Sequence, residues 1–391
     1  MAFVKRFLEP PGMSFFLFGP RGSGKNLWTR QRFPGAVFID LLSPGELRLY
    51  GGFPEQLTEL LRGEMERRQS QDLTVVIDEI QKIPELLCVV HQMIVNHPSL
   101  CFVLTGSSAR RLRRGGVDLL AGRAALCHMH PFMAAELGEA FDLEEALRLG
   151  MLPVVQASRN GQKSLSSFVG TYLEEEVRQE GLVRNIGAFA RFLEVAALAH
   201  GTIPNHASIA RDCGVSAPTV AAYFTILEDL LLSYNLPAFS FRPGRPLITR
   251  TKFYLCDTGL YQNLRHQPLD DGGGYGNPSG MALEGLVGQH LRAWCDLSEG
   301  KNRLYHWRTR SGVKVDFVLA GREGLWAFEV KHGKVFRPEY LKNLKIFGQD
   351  YPEARLCLLY RGQERLRVGN VSCIPCNEFL RGLRPNRIDP S

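Results

Sequence analysis

The residues of this sequence best suited to chemistry lie near its two ends. Near the start, Gly19-Pro20-Arg21-Gly22-Ser23-Gly24-Lys25 follows an apolar run, Ser14–Phe18. Glycines let a backbone wrap closely around phosphates with its N–H groups turned inward, and a lysine closing the loop reaches β- and γ-phosphates. The spacing predicts a phosphate-binding loop between a strand and a helix; a plain Gly-rich turn is the alternative. The next position, where a Ser or Thr hydroxyl would ligate Mg2+, holds Asn26. An amide oxygen also ligates hard cations, but it is carried on a longer side chain. ATP binding through the backbone and Lys25 is expected to survive this change, and Mg2+-dependent hydrolysis less surely.

A second acidic pair supports the same chemistry. Thr74–Ile77 is an apolar run that ends in Asp78 and Glu79. Asp78 is placed to hold Mg2+, and Glu79 to polarise an attacking water. The run Val103–Thr105 ends in Gly106-Ser107-Ser108, where a hydroxyl such as that of Ser107 could sense a γ-phosphate. Arg123 is a candidate arginine finger, in cis or from a neighbouring subunit. The run Arg110-Arg111-Leu112-Arg113-Arg114 reads as a solvated face, a phosphate contact or a DNA contact.

Near the other end, Val313, Val315, Phe317 and Leu319 alternate with Lys314 and Asp316, and Phe328 and Val330 alternate with Glu329 and Lys331. A turn over Gly321–Gly324 puts Ala320 opposite Leu325 and therefore Asp316 opposite Glu329, with both side chains on one face. Two carboxylates so placed repel each other and suit a divalent cation. Lys331 projects on the same face, and Glu284, in the helical segment that starts near Leu283, is a further acidic candidate ligand. An ordinary charged hairpin matches the spacing alone.

Elements able to hold these residues are visible in the pattern. Apolar runs at 14–19, 36–40, 74–78 and 101–105 alternate with helix-periodic segments such as 53–68 and 86–96. This alternation predicts a parallel sheet covered on both faces. Residues 166–235 read as mostly helical. Within them Ala207–Cys213, a turn at Gly214, and a helix capped by Ser216 with Pro218 in its first turn form a helix-turn-helix. Runs at 231–241 and 252–256 could supply a wing. The second helix offers Thr219, Val220, Ala221, Ala222, Tyr223 and Thr225, with no Arg, Lys, Asn or Gln to read base edges. A structural or hinge role fits it better than operator recognition. The C-terminal block is expected as a helix near 283–295, strands near 303–308, 312–319 and 325–331, a helix near 338–347 and a strand at 354–360. Expected domains are 1–165, 166–261 and 262–391.

Composition narrows the class. Hydrophobic residues make up 45% of the chain and charged residues 22%, which is ordinary for a globular protein. No apolar run approaches the roughly 20 residues that span a bilayer, and the N-terminus lacks a signal-peptide pattern. Nine scattered cysteines argue for a reducing cytoplasm rather than a disulfide framework. Net charge is +7, and residues 280–391 hold 19 Lys+Arg against 12 Asp+Glu, which is the whole of that excess. An anionic partner such as DNA is therefore expected at the C-terminal region.

With Phe16–Lys25, Val76–Gln81, Leu104–Arg110, Tyr305–Thr309, Val315–Leu319 and Phe328–Lys331 all in one chain, the sequence resembles the prokaryotic AAA-type P-loop ATPases that carry a C-terminal domain of unknown function with a restriction-endonuclease-like, PD-(D/E)xK core. The resemblance covers nearly the whole chain. It implies an α/β P-loop domain, a winged-helix connector and a smaller α/β nuclease-like domain. It also implies ATP and Mg2+ as cofactors, Asp316, Glu329 and Glu284 as metal ligands, and Lys331 as the residue that positions or activates water. Homo-oligomerisation is possible within such a family. Asn26 departs from its pattern. Three activities are therefore expected as alternatives: an ATPase coupled to a DNA-engaging nuclease-like domain, a nucleotide-switched DNA- or protein-binding module with little turnover, or a transcription regulator.

Overall fold

A computed structural model describes residues 4–108, 120–172, 177, 183, 185–241, 247–265 and 278–388. The basic run at 110–114 lies outside the described residues. The chain forms two compact units, one of Leu8–His130 with Asp229–Leu231, the other containing Pro131–Glu228 and the residues from Leu232 onward.

The first unit is built on five strands: β1 (Phe15–Phe18), β2 (Val37–Asp40), β3 (Thr74–Asp78), β4 (Cys101–Gly106) and β5 (Ala125–His128). They lie in the order β2-β3-β4-β1-β5, and every pairing is parallel. Parallel strands need crossovers. Helices α1 (Lys25–Arg32), α2 (Pro44–Gly52), α3 (Gln56–Arg68) and α4 (Leu86–Asn96) lie in the crossovers between β1 and β4. Burial on both faces explains why β1 is continuously apolar: each of its four residues is at most 1% exposed. Phe16, Ile77, Leu87, Val90 and Leu104 lie in one core cluster of this unit. β5 was not expected from the sequence; its four residues are intermediate or exposed and carry no alternation.

In the second unit, α5 (Leu143–Leu149) packs on α9 (Thr258–Arg265). The joint is a buried polar knot. Asp257 accepts hydrogen bonds from the backbone N–H groups of Met151 at 2.6 Å, Gly259 at 2.9 Å and Leu260 at 3.3 Å, while Thr258 donates to the Ala146 carbonyl at 2.7 Å. A Cβ added at Gly259 would stand 2.1 Å from the Leu149 carbonyl oxygen, so the two segments meet backbone to backbone.

Between these lie α6 (Ile186–Leu198), α7 (His206–Cys213) and α8 (Ala217–Asp229). Asn205 caps α7 through its side chain, Gly214 ends it in the left-handed conformation at φ 68°, and Ser216 accepts from the Thr219 N–H at 3.3 Å. Val220, Tyr223, Phe224, Ile226 and Leu227 of α8 are buried, Phe192 of α6 meeting the Tyr223 and Phe224 rings. A two-stranded antiparallel sheet follows, β6 (Ser233–Leu236) with β7 (Lys252–Leu255).

A long helix, α10 (Pro278–Leu297), then leads into a six-stranded sheet. Its strands are β8 (Arg303–Arg308), β9 (Lys314–Gly321), β10 (Gly324–Lys331), β11 (Arg355–Tyr360), β12 (Leu366–Val368) and β13 (Val371–Pro375). The order is β12-β13-β11-β10-β9-β8. β8, β9 and β10 form an antiparallel meander, β11 returns parallel to β10 after α11 (Lys342–Asp350), and α12 (Cys376–Gly382) follows β13. Trp307, Val315, Val318, Ala327, Leu344, Phe347 and Leu358 form the core that seats α11. β12, β13 and α12 lie beyond the elements expected from the pattern.

Candidate nucleotide and cation sites

The phosphate loop forms where strand ends converge. Phe18 pairs with Gly106 and Ile77 with Leu104, so the ends of β1, β3 and β4 lie along one edge of the sheet. Parallel α/β sheets bind ligands outside such carboxyl ends. Gly24 supplies the turn into α1 with φ 89°, a left-handed conformation that suits glycine. Lys25 is the first residue of α1, only 7% exposed, and its ammonium folds back to donate to the Gly19 carbonyl at 2.7 Å and the Pro20 carbonyl at 3.3 Å. A buried ammonium on loop carbonyls is a charge ready to be handed to phosphate oxygens. This loop fits a nucleotide's phosphates.

The surroundings of Asp78 do not fit a magnesium ion as they stand. Asp78 Oδ1 accepts from the Thr105 hydroxyl. Asp78 Oδ2 accepts from the Asn26 side-chain NH2 at 2.7 Å. The Asn26 carbonyl oxygen accepts from Arg30 Nε at 2.8 Å. The two neighbours fix the amide's orientation, since a guanidinium can only donate and a carboxylate can only accept. The oxygen able to ligate a cation is therefore committed to Arg30, and the amine, which cannot ligate, faces Asp78.

Glu79 sits beside this chain in the left-handed region, φ 59°, where a non-glycine residue is uncommon. Its N–H donates to the Thr105 hydroxyl oxygen at 3.2 Å. Its carboxylate accepts from the Gln81 amide and from the Ser107 hydroxyl, the latter at 3.1 Å, and Gln81 also donates to Ser107 Oγ at 3.0 Å. The structure thus brings Lys25, Asn26, Asp78, Glu79 and Ser107 to one sheet edge. Thr105, Gln81 and Arg30 complete the set, and no spacing rule had singled them out. Arg123 is exposed and precedes β5, whose first residue pairs with Phe15. It stands at the opposite edge of the sheet from the loop that follows Phe18.

The C-terminal hairpin has the register expected from its turn. Ala320 pairs with Leu325 and Phe317 with Phe328, which carries Asp316 opposite Glu329. Both carboxylates are buried, at 1% and 0% exposure. Asp316 Oδ2 accepts from the Val330 N–H at 3.0 Å, and Lys331 Nζ donates to Glu329 Oε1 at 2.6 Å. Glu284 reaches the same place from α10. That helix lies close to its neighbours at two glycines: a Cβ on Gly285 would stand 2.3 Å from His200 Nε2, and one on Gly288 2.8 Å from the Tyr234 hydroxyl and 2.9 Å from Phe317.

Three further polar residues join the cluster from outside the expected set. Glu284 Oε1 accepts from Lys252 Nζ at 3.0 Å and from the Tyr254 hydroxyl at 2.6 Å, both on β7. Lys252 Nζ is 4.0 Å and Lys314 Nζ 3.6 Å from Asp316 Oδ1. Burial and the neighbouring Asp316 charge push Glu329 up to about 8 against the pull of Lys331. Burial acts the same way on Glu284, but the Lys252 and Lys314 ammonium groups outweigh it and hold that carboxyl below its ordinary value. Glu329 Oε2 and Asp316 Oδ1 receive no hydrogen bond although both are buried. Buried carboxylate oxygens without donors are costly. Those orphaned atoms are consistent with a cation, yet among the described residues no three acidic, His or Cys side chains close into a metal cage.

The exposed positions of α8 are Pro218, Ala222 and Thr225, and Tyr223, expected on its reading face, is buried. No helix among the described residues is long and apolar enough to cross a membrane.

Comparison with known families agrees with the first of these sites. Residues 140–271 match a domain of unknown function (DUF8612), and residues 279–379 match another (DUF4143). No curated protein matches the chain. Residues 12–138 match the family described as an AAA domain, and with a parallel five-stranded sheet, a glycine-rich loop and the Asp78–Glu79 pair they form an AAA-type P-loop domain suited to nucleotide binding.

Proposed function

We propose that this chain is a nucleotide-responsive protein in which ATP binding at the 19–25 loop controls how a nuclease-like C-terminal domain engages DNA, with occupancy mattering more than rapid turnover. The carrying observation is the Arg30–Asn26–Asp78 chain. It preserves a phosphate-binding loop while turning the amide's ligating oxygen away from Asp78. DNA engagement rests on separate support. Glu284, Asp316, Glu329 and Lys331 are gathered on a helix and a β-hairpin followed by an α-helix and a parallel strand, in the region 280–391 whose 19 Lys+Arg against 12 Asp+Glu equal the net charge of the chain. The helix order, a meander of three strands, and that carboxylate–lysine set agree with a restriction-endonuclease-like core. The neutral outer side of α8 favours a structural part for the helix-turn-helix, read as a winged-helix connector.

Cleavage is the activity such a cluster would have if it took Mg2+: the carboxylates would hold the ion, and Lys331 would position a water. The test pairs three assays on the purified full chain. Binding of a fluorescent ATP analogue should be strongly weakened by Lys25→Ala. Phosphate release should be slow and lost on Glu79→Gln. DNA binding measured by anisotropy should change with nucleotide. Plasmid nicking that disappears in Glu329→Ala and Lys331→Ala would add catalysis. DNA affinity indifferent to nucleotide sinks the coupling. A second reading, an ATP-hydrolysing engine, draws on Glu79, whose Oε2 is held by Gln81 and Ser107; fast phosphate release by the native protein would establish it.

A further inference from the structure

The carboxylate cluster has an occupant that belongs to neither the helix nor the hairpin that builds it. Lys252 opens β7, is 3% exposed, and sends its ammonium to Glu284 Oε1 at 3.0 Å with Asp316 Oδ1 at 4.0 Å. The ammonium thus lies within 4.0 Å of a carboxylate oxygen of both Glu284 and Asp316. Counted with every group charged, Glu284, Asp316 and Glu329 are matched by Lys252, Lys314 and Lys331. A divalent ion can enter such a cluster only by displacing positive charge, since like charges about 4 Å apart in a poorly screened site repel by several kcal/mol.

The three lysines are not equally able to leave. The side chains of Lys314 and Lys331 are 43% and 30% exposed, so each can swing to water. The Lys252 side chain is 4% exposed and is fixed by a strand. β7 pairs with β6, and the backbone just before it is tied down as His306 Nε2 contacts the Arg250 carbonyl at 2.9 Å. Tyr254, two residues on, holds the same Glu284 oxygen.

We infer that Lys252 is a resident counter-cation that occupies the divalent-ion position between Glu284 and Asp316, so that the cluster takes a metal tightly only when Lys252 is removed from it. This rests on the reading of Glu284, Asp316 and Glu329 as a cation site. The orphaned Glu329 Oε2 and Asp316 Oδ1 are the second, independent sign that positive charge belongs there. The missing metal cage follows: a lysine stands where the acidic groups would otherwise close.

The test is calorimetric titration of chelator-treated full-length protein with Mn2+. Lys252→Met should tighten Mn2+ binding by about tenfold or more, a gain equal to about 1.4 kcal/mol, and Asp316→Asn added to it should remove the gain. Lys252→Arg should stay as weak as the native protein. Lys314→Met makes the same charge change at a lysine whose side chain is 43% exposed and can swing to water, and should tighten binding by less than about threefold, because a partly exposed charge is better screened. Lys252→Met leaves Glu284 buried without its partner and can unfold the domain. The charge-neutral pair Lys252→Met/Glu284→Gln, compared with Glu284→Gln alone, then carries the test and should bind Mn2+ more tightly. A Lys252→Met affinity equal to the native one, or to that of Lys314→Met, overturns the inference while the site reading stands if Asp316→Asn abolishes native Mn2+ binding. Absence of Asp316-dependent Mn2+ binding in every variant overturns both.

Discussion

Asn26 donates its side-chain amide to Asp78 at 2.7 Å, so a hydrogen bond joins the two positions that a bridging magnesium would otherwise serve together. The Arg30 guanidinium on the other side of the amide makes this orientation the lower-energy one. Nothing else about the loop departs from what phosphate binding requires: Gly24 makes the turn and Lys25 is buried beside it.

Asn26→Ser is therefore expected to raise Mg2+-dependent phosphate release by about tenfold or more, since it frees Asp78 Oδ2 and supplies a hydroxyl ligand. Steady-state phosphate release in Mg2+ measures it. A rate equal to the native one would mean that the amide is not what limits turnover.

Lys25→Ala should weaken ATP binding by about tenfold to a hundredfold, the value of one charge-assisted hydrogen bond to phosphate. The thermal midpoint of the nucleotide-free protein should change little, because Lys25 hydrogen-bonds the Gly19 and Pro20 carbonyls of its own loop. Fluorescence titration and calorimetric unfolding separate these effects. A large loss of stability with unchanged affinity would make Lys25 a structural residue.

Asp257 gives the second unit a pH signature. Burial pushes its carboxyl up to about 6, opposed by the N–H groups of Met151, Leu260, Gly259 and Leu152. The unfolded value is about 3.9, so the folded state holds the proton more tightly. Its contribution to stability is full below about pH 4 and is lost as pH rises through about 6, a change of about 3 kcal/mol. Asp257→Asn should be less stable at every pH, because its NH2 meets backbone donors, and should flatten this slope. Chemical denaturation at intervals from pH 4 to 7.5 follows it. Parallel curves for the two proteins would remove Asp257 as the source.

Gly259→Ala should destabilise the same joint by about 3 kcal/mol or more, since its Cβ would meet the Leu149 carbonyl oxygen at 2.1 Å, a backbone atom that cannot move aside cheaply. Gly63→Ala, where a Cβ meets nothing within 4 Å on α3, should be neutral or slightly stabilising. Denaturant midpoints compare the two.

Much of this was legible because it is local. β3 has the bounds expected from its apolar run, β2 and β4 differ by a residue at one end and β1 by a residue at each, and the Ala320–Leu325 register follows from a four-residue turn. Glu284 was legible as a helix residue ahead of the hairpin. What escaped is what the chain brings from afar. Lys252 reaches Glu284 across 32 residues and Asp316 across 64, and no periodicity reports such a meeting. The clamp of Gln81 on Glu79 and Ser107 depends on β3 and β4 lying side by side, which the strand order decides rather than the spacing. The attachment of residues 146–152 to Asp257 escaped for the same reason; their helical pattern suits either neighbour.

The lysines around Glu284, Asp316 and Glu329 have a consequence for how such a signature persists. Because they supply the positive charge themselves, the carboxylates can be buried as the chain folds with no ion present, and a chelator should leave the fold intact. Folding alone then holds the same six side chains in place, so acidic residues and a lysine in this register do not by themselves certify an enzyme.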